Sequence, residues 1–305
     1  MNRPILVFGA DGQVGRETVL SLGPVGTVVG LTRTNVDLAD SDSVRTTVRR
    51  LNPRWIVNAE AYTAVDKAEA DSHAAFAING DAPGVLGEEA FRLGIPVIHF
   101  STDYVFDGAG HLPRCETDST HPLGVYGASK LAGEQALAAS GAAHLIFRTS
   151  WVFGSHGKNF LLTILKLAAE RDELKIVDDQ YGAPTWSRSL AELVAHTIAH
   201  LEAEAEQKRV TLAAALHNIG GIYHACSSGC TSWFGFASEI VRIAKEIRPE
   251  GHFARLIPVN SAAYPTAAER PKNSRLSCEK MSRTLEFNMP SWNDATAQAM
   301  KDLFV

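Results

Sequence analysis

A doubly wound α/β fold around a parallel sheet is what the sequence predicts, and three observations carry the expectation. Short, apolar, β-branched runs recur along the chain, helix-like segments separate them, and a glycine-rich turn follows the first run. Runs without polar alternation suit strands buried on both faces. Their alternation with helices implies parallel strands joined by right-handed crossovers.

The runs are PILVFG (4–9), GTVVGLT (26–32), RWIVNA (54–59), PVIHFS (96–101) and HLIFRTS (144–150), so five strands are expected. Helical segments fall at 13–22, 41–51, 72–93 and 126–139, and Asp40 or Ser41 suits the N-cap of the second. Ligands of such sheets sit beyond the carboxyl ends of the strands. From about residue 155 the rhythm loosens. Helices near 158–170, 186–206 and 232–247 are joined by Gly-, Pro- and Ser-rich loops, among them DDQYGAPTW (178–186) and ERPKNSRLS (269–277). LEAEAEQKR (201–209) reads as a solvated helix end.

Composition narrows the function classes. With 305 residues, 45% hydrophobic and 21% charged, the chain suits one large globular domain, or one large and one small. A net charge of −5 without a long basic run lacks the footprint of nucleic-acid binding. No run approaches a membrane span, and the apolar stretch before Gly9 is too short for a signal peptide, so cytoplasmic residence is expected. Cys115, Cys226, Cys230 and Cys278 form neither a disulfide framework nor a zinc pattern and read as reduced thiols. His99, His144, His217 and His224 lack ligand spacing and read as structural.

The glycine turn is GADGQVG, with Gly9, Gly12 and Gly15. Between a strand and a helix, glycines let the backbone approach a pyrophosphate that the helix N-terminus stabilises. A purely structural turn is the competing reading. The spacing Gly-x2-Gly-x2-Gly matches short-chain reductases, and Asp11 inside the turn is expected to face solvent. After the second strand come Arg33 and no acid before Asp37, which favours the 2′-phosphate of NADPH over NADH. A surface-loop arginine is the alternative there, and use of NADH stays open.

In YGASK, Tyr126 and Lys130 stand at i and i+4, on one face of a helix that starts there. A nearby ammonium favours a phenolate and brings the tyrosine nearer the working range of an acid or base. A solvated helix start is the bland reading of that spacing. Thr102 and Asp103 end the fourth strand in STDYVFDG (101–108) and are expected to face the same cleft.

At this point the chain closely resembles the dTDP-4-dehydrorhamnose reductases, a family of extended short-chain dehydrogenase/reductases. The ordered motifs GQVG, AYTAVDKAE (61–69), STDYVFDG, YGASKLAGE (126–134), FRTSWVF (147–153), DDQYGAPT, GIYHACSSGCTSW (221–233) and RPKNSRL (270–276) span nearly the whole chain. The resemblance implies a Rossmann-type dinucleotide-binding domain over 1–154, to which some C-terminal segments return. It also implies a smaller, mixed α/β portion over 155–305 that binds a nucleotide sugar. It makes Thr102, Tyr126 and Lys130 the catalytic triad and puts Asp103 and Trp151 at the sugar. Gly12, Gln13, Val14, Asp37, Leu38, Ala61, Tyr62 and Thr63 match positions lining the cofactor. The reaction implied is NADPH-dependent reduction of the C4 ketone of dTDP-4-dehydro-L-rhamnose, with the proton from Tyr126.

Related dehydratases carry Thr-Asp-Glu where this chain has Thr102, Asp103 and Tyr104, so simple reduction is expected instead of elimination. Arg270 and Arg275 are candidates for the diphosphate because guanidinium forks suit phosphate oxygens; unliganded surface arginines are the competing reading. The family usually reads Asn-Ala-Ala-Ala where this chain has Asn58, Ala59, Glu60 and Ala61, which puts a carboxylate near the cofactor phosphates. Some relatives form a metal-linked dimer through glutamates. Glu17 matches one such position, but the later partners are not recognisable in LAELVAH (190–196) or the tail KDLFV, so neither Mg nor another metal is assigned and a homodimer stays open. Two other functions are compatible with the motifs. One is a non-catalytic NADP-binding subunit resembling the regulator of methionine adenosyltransferase; the other is a reductase of a different nucleotide-linked 4-keto sugar.

Overall fold

The computed structural model describes residues 3–304; Met1 and Asn2 of the N-terminal segment and Val305 of the tail lie outside the described residues. The first half runs β1 (Ile5–Phe8), α1 (Gln13–Leu22), β2 (Val28–Leu31), α2 (Ser41–Leu51), β3 (Trp55–Asn58), α3 (Val65–Ala68), α4 (Ser72–Phe76), α5 (Ala82–Leu93), β4 (Val97–Thr102), α6 (Val125–Ala139) and β5 (His144–Thr149). The second half runs β6 (Val152–Phe153), α7 (Phe160–Glu170), β7 (Glu173–Val177), β8 (Tyr181–Gly182), β9 (Thr185–Trp186), α8 (Ser187–Lys208), α9 (Leu212–Leu216), β10 (Gly221–His224), β11 (Thr231–Ser232), α10 (Trp233–Ile247), β12 (Arg255–Val259), α11 (Glu279–Leu285) and α12 (Trp292–Phe304). All five expected strands form and pair in parallel. The sheet nevertheless has six, in the order β10-β5-β4-β3-β1-β2, because Gly221–His224 returns from the second half to pair with β5. Four residues followed by an irregular loop carry too little pattern to reveal that return.

The apolar runs are continuous because each strand feeds two cores with a period of two. Ile5, Val7, Trp55 and Val57 pack with Leu190, Val194, Ile198 and Tyr223 on one face. Leu6, Phe8 and Ile56 pack with Val44, Val48, Leu86 and Leu137 on the other. A third core joins Phe153, Ile164, Trp186, Phe236, Ile240 and Met300 and belongs to the second half alone. Thus α8 and β10 are built into the layers around the sheet although they follow residue 155 in sequence.

Local chemistry sets the element ends. Asp40 caps α2, its carboxylate accepting from the backbone N–H groups of Asp42 and Ser43, a contact worth about 1 kcal/mol. The segment expected as one helix over 72–93 contains a π turn at Ala77–Asp81. Pro83 gives the reason: it has no N–H to donate to the carbonyl of residue 79, and a wider turn relieves the clash.

A buried ion pair ties α6 to the sheet. Glu134 accepts two hydrogen bonds from Arg148 of β5, at 2.9 and 2.6 Å, and a third from the Ser101 hydroxyl of β4 at 2.5 Å. Both charged side chains are only 3% exposed. Removing one partner strands the other charge, so Arg148→Met should cost about 3 to 5 kcal/mol of stability, whereas Arg148→Met with Glu134→Leu should cost less than the single change. Urea unfolding of the two variants checks the order; a double variant less stable than the single would contradict it.

Candidate active site

The turn from β1 to α1 is held open by glycine. Gly9 has a φ of +75°, and a Cβ on Gly15 would lie 1.9 Å from the Gly9 carbonyl oxygen, so no larger residue fits without moving the turn. Asp11 is exposed, as expected. This turn opens a cleft of about 600 Å³ that runs to Tyr126 and Lys130 along the carboxyl edge of the sheet. Gly9, Gly12, Gln13, Val14, Arg33, Ala61, Tyr62 and Thr63 line it. The cradle, with the N-terminus of α1 behind it, fits a dinucleotide whose pyrophosphate lies against backbone N–H groups.

Three of the residues named from the sequence for the cofactor do not line this cleft, and Thr102 and Asp103, expected to face it, are not among its lining residues either. Gly15 sits behind the turn, where it packs α1 onto β1. Leu38 is buried in the core between sheet and helices. Asp37 pairs with Arg33 at 3.3 Å and accepts from the Ala39 N–H.

The deep end of the cleft is desolvated. Lys130 is buried, and its Nζ donates to the Phe100 carbonyl at 2.5 Å and lies 3.4 Å from His99 Nε2. Burial brings its pKa down to about 8, against the pull of Glu134. His99 in turn faces the Asn58 amide, 3.2 Å from Nδ1, and burial with Lys130 nearby keeps its ring well below the ordinary range. Tyr126 differs from the sequence expectation. Its phenol is pushed up to about 12 by burial, with the Thr102 hydroxyl opposing the shift. The i, i+4 spacing holds, but Lys130 extends into the sheet, and desolvation dominates the phenol.

Thr102 ends β4 and Asp103 follows it. The Thr102 hydroxyl donates to Asp103 Oδ1 at 3.1 Å and accepts from the Tyr104 N–H. Burial raises the Asp103 carboxyl to about 7 despite hydroxyls from Ser274 and Thr102. Glu60 follows β3 and lines the cofactor-sized cleft with one carboxylate oxygen buried and unpartnered. Burial, then repulsion from Asp11 and Asp37, raises it to about 7, and Arg33 acts the other way.

Trp151 has a left-handed φ of +49° and stacks on Trp233 with ring centroids 3.6 Å apart. Trp233 also donates from its indole to Gln180 Oε1 and walls a second cavity of about 680 Å³ that reaches Arg270. Arg270 is held by both oxygens of Asp66, at 3.2 and 2.6 Å, and the Arg275 Nε donates to Asn273 Oδ1. Gln180, Trp233 and Asp66 escaped the sequence reading, although each lies in a motif quoted above. Their grouping depends on chain segments far apart in sequence.

Glu17 pairs with Arg188, 3.0 Å away, which also pairs with Asp302. Among the described residues no group of three or more His, Cys, Asp or Glu side chains could hold a metal ion. No helix among them is long and apolar enough to cross a membrane.

A Rossmann-type sheet with this glycine turn and with a tyrosine and lysine one helical turn apart defines the extended short-chain reductase class. The RmlD substrate binding domain family model matches residues 1–305. A dTDP-4-dehydrorhamnose reductase of Burkholderia thailandensis is 46% identical over 301 residues, 98% of each chain. The crystal structure of such a reductase from Clostridium acetobutylicum matches with a TM-score of 0.88 and 31% identity over 99% of this chain and 100% of that one. One from Bacillus anthracis, in complex with NADP, matches with a TM-score of 0.87 and 30% identity over the same shares. The chain belongs to the dTDP-4-dehydrorhamnose reductase family.

The acids of the site make stability fall with pH. Asp103 and Glu60 titrate near 7 in the folded chain against ordinary values of 3.8 and 4.5. The unfolded chain therefore ionises first, so folding loses free energy as pH rises from about 4 to about 7 and no further beyond. Asp103→Asn should flatten that fall, as read by urea unfolding at pH 5 and pH 8. An unchanged difference between the two pH values would remove Asp103 from the effect.

Proposed function

We propose that the protein reduces the C4 ketone of dTDP-4-dehydro-L-rhamnose to dTDP-L-rhamnose with NADPH. The observation that carries the reading is that Tyr126 and Lys130 line the glycine-turn cleft while the Thr102 hydroxyl bears on the Tyr126 phenol, in a chain of this family. The relative in complex with NADP supports the cofactor. Bound there, the reduced nicotinamide supplies a hydride. The residues of the chain do the rest.

Tyr126 donates the proton to the oxygen that gains charge as the ketone is reduced. A phenol held at about 12 is protonated at neutral pH, the form that reduction requires. Thr102 hydrogen-bonds the same oxygen, where charge develops. Lys130, cationic below about pH 8, holds the nicotinamide ribose. Gly9, Gly12, Gln13 and Val14 take the pyrophosphate, Ala61, Tyr62 and Thr63 the adjoining nucleotide, and Arg33 the 2′-phosphate. Residues 1–154, joined by α8 and β10, form the dinucleotide portion. The remainder of 155–305 binds the nucleotide sugar, with Asp103 and Trp151 at the sugar and Arg270 and Arg275 toward the diphosphate. Because Asp66 already occupies the Arg270 fork, a diphosphate has to share or displace that pairing.

The deciding experiment mixes purified protein and NADPH with the ketosugar, which is made in situ by an epimerase acting on the dTDP-4-keto-glucose precursor. NADPH oxidation and dTDP-L-rhamnose should appear together and should need this protein. NADPH that stays reduced while the ketosugar is present rejects the reading.

Tyr126→Phe should keep NADPH binding and lower turnover by roughly two orders of magnitude or more, the scale of a lost general acid. Turnover near that of the parent would take the proton step away from Tyr126. The charge balance of the cleft gives a separate outcome. Arg33→Ala should weaken NADPH more than NADH. Glu60→Gln should tighten NADPH above pH 7, where the parent carboxylate is ionised, and change little at pH 5.5. Fluorescence titration of both cofactors at the two pH values measures this; parallel changes for NADPH and NADH in Arg33→Ala would place the arginine away from the 2′-phosphate.

A further inference from the structure

Two thiols that the reductase chemistry does not use lie against each other near Asp103. Cys226 is two residues past β10, and Cys278 immediately precedes α11. Their sulfurs are 3.5 Å apart, with both thiols free. A disulfide needs about 2.0 Å, so side-chain adjustment of roughly 1.5 Å joins them. The Cys226 N–H donates to Cys278 Sγ at 3.4 Å, while the Cys226 thiol lies 3.7 Å from the Leu276 carbonyl. Hydrogen bonding from Cys226 holds the Cys278 thiol below its ordinary range against burial, and the same contact, with burial, holds Cys226 well above. The more accessible Cys278 sulfur, which accepts the Cys226 N–H, suits the attacking thiolate, and the buried Cys226 the resolving thiol. The half-buried Cys278 and the buried Cys226 line a cavity of about 630 Å³ with Ser227, Glu279 and Met281, through which a small oxidant reaches Cys278.

We infer that Cys226 and Cys278 form a dithiol site for hydrogen peroxide, which oxidises it to an intramolecular disulfide. The Cys278 thiolate attacks one peroxide oxygen, forming an S–O bond and breaking O–O; the departing hydroxide takes the thiol proton and leaves as water. Cys226 then attacks the sulfenic sulfur, forming S–S and breaking S–O, and a second water leaves with its proton. The two thiols lose two electrons between them, and the peroxide gains two. The link fastens the segment that carries Ser274 and Arg275 to the end of β10. Ser274 hydrogen-bonds Asp103, and the Asp103 charge bears on Cys226, so the disulfide would form near the end of β4.

The test needs no turnover, so it fails or succeeds apart from the reductase reading. Folded, full-length protein is treated with hydrogen peroxide, denatured, and alkylated with or without dithiothreitol. Of the four cysteines, two should escape alkylation, the mass should fall by two hydrogens, and dithiothreitol should restore both thiols. Peptide mapping should join the segments containing Cys226 and Cys278. Cys278→Ser and Cys226→Ser should each abolish the link, whereas Cys115→Ser with Cys230→Ser should keep it. Four alkylatable thiols after treatment, a link through Cys115 or Cys230, or Cys278 oxidised to sulfinic acid beside a free Cys226 would each overturn the inference. The unsubstituted protein decides these outcomes even where a serine at the buried position prevents folding.

Discussion

The site depends on how α6 is turned against the sheet, and the ion pair of Glu134 with Arg148 fixes that turn. Tyr126, Lys130 and Glu134 are spaced by four residues and form one stripe of the helix. With Glu134 fastened to β5 through Arg148 and to β4 through Ser101, the stripe has to face the sheet edge. Lys130 then reaches the Phe100 carbonyl, and Tyr126 comes beside Thr102. Close approach is part of the same constraint. A Cβ on Gly127 would lie 2.2 Å from the Tyr104 carbonyl oxygen, and one on Gly133 would lie 2.0 Å from that of Asn79. A buried ion pair adds little net stability compared with a well-packed apolar pair. Its contribution here is orientation, which an apolar contact of similar size would specify less sharply.

Burial that positions these groups also sets their protonation. The same desolvation lowers Lys130 and raises Tyr126 and Asp103, because in each case it disfavours the charged form. The phenol therefore stays a donor and the Asp103 carboxyl sits near its midpoint at neutral pH. Thr102 lies between them, with one neighbour on either side. The arrangement resists ionisation until a ligand brings charge or removes it, and that suits a site where charge develops on a substrate oxygen.

What the sequence discloses follows from how local each feature is. The five strands and the cap at Asp40 depend on neighbours within a few residues, and their positions could be read directly. The sheet-edge location of Thr102 and the helical stripe of Tyr126 and Lys130 follow from strand and helix periods. The π turn before Pro83 was hidden because the apolar pattern of 72–93 continues across it. β10 was hidden because a four-residue strand is recognised only by its partner, β5, more than seventy residues earlier. The direction of the tyrosine shift was misjudged for a related reason: spacing gives adjacency, whereas desolvation is a property of every element packed around the phenol. Glu60 shows the converse. Its place in the sequence marked it as a cleft residue, while its raised carboxyl required burial and then Asp11 and Asp37 from two other loops.

Trp151 is where the two halves of the chain meet mechanically. It follows β5 in a backbone conformation that a bulky residue adopts only when the surroundings over-determine it. Those surroundings come from the second half. Trp233, the first residue of α10, stacks on its ring, and a Cβ on Gly182 would lie 2.8 Å from it, so the loop of β8 also presses against the indole. Phe160 of α7 packs on the outer partner, with ring centroids 4.6 Å from Trp233. The strained residue at the sheet edge is thus clamped by α10 and the β8 loop, with α7 backing Trp233. Any shift of the third core relative to the sheet must move Trp151 together with Trp233, and Trp233 is a wall of the cavity that reaches Arg270.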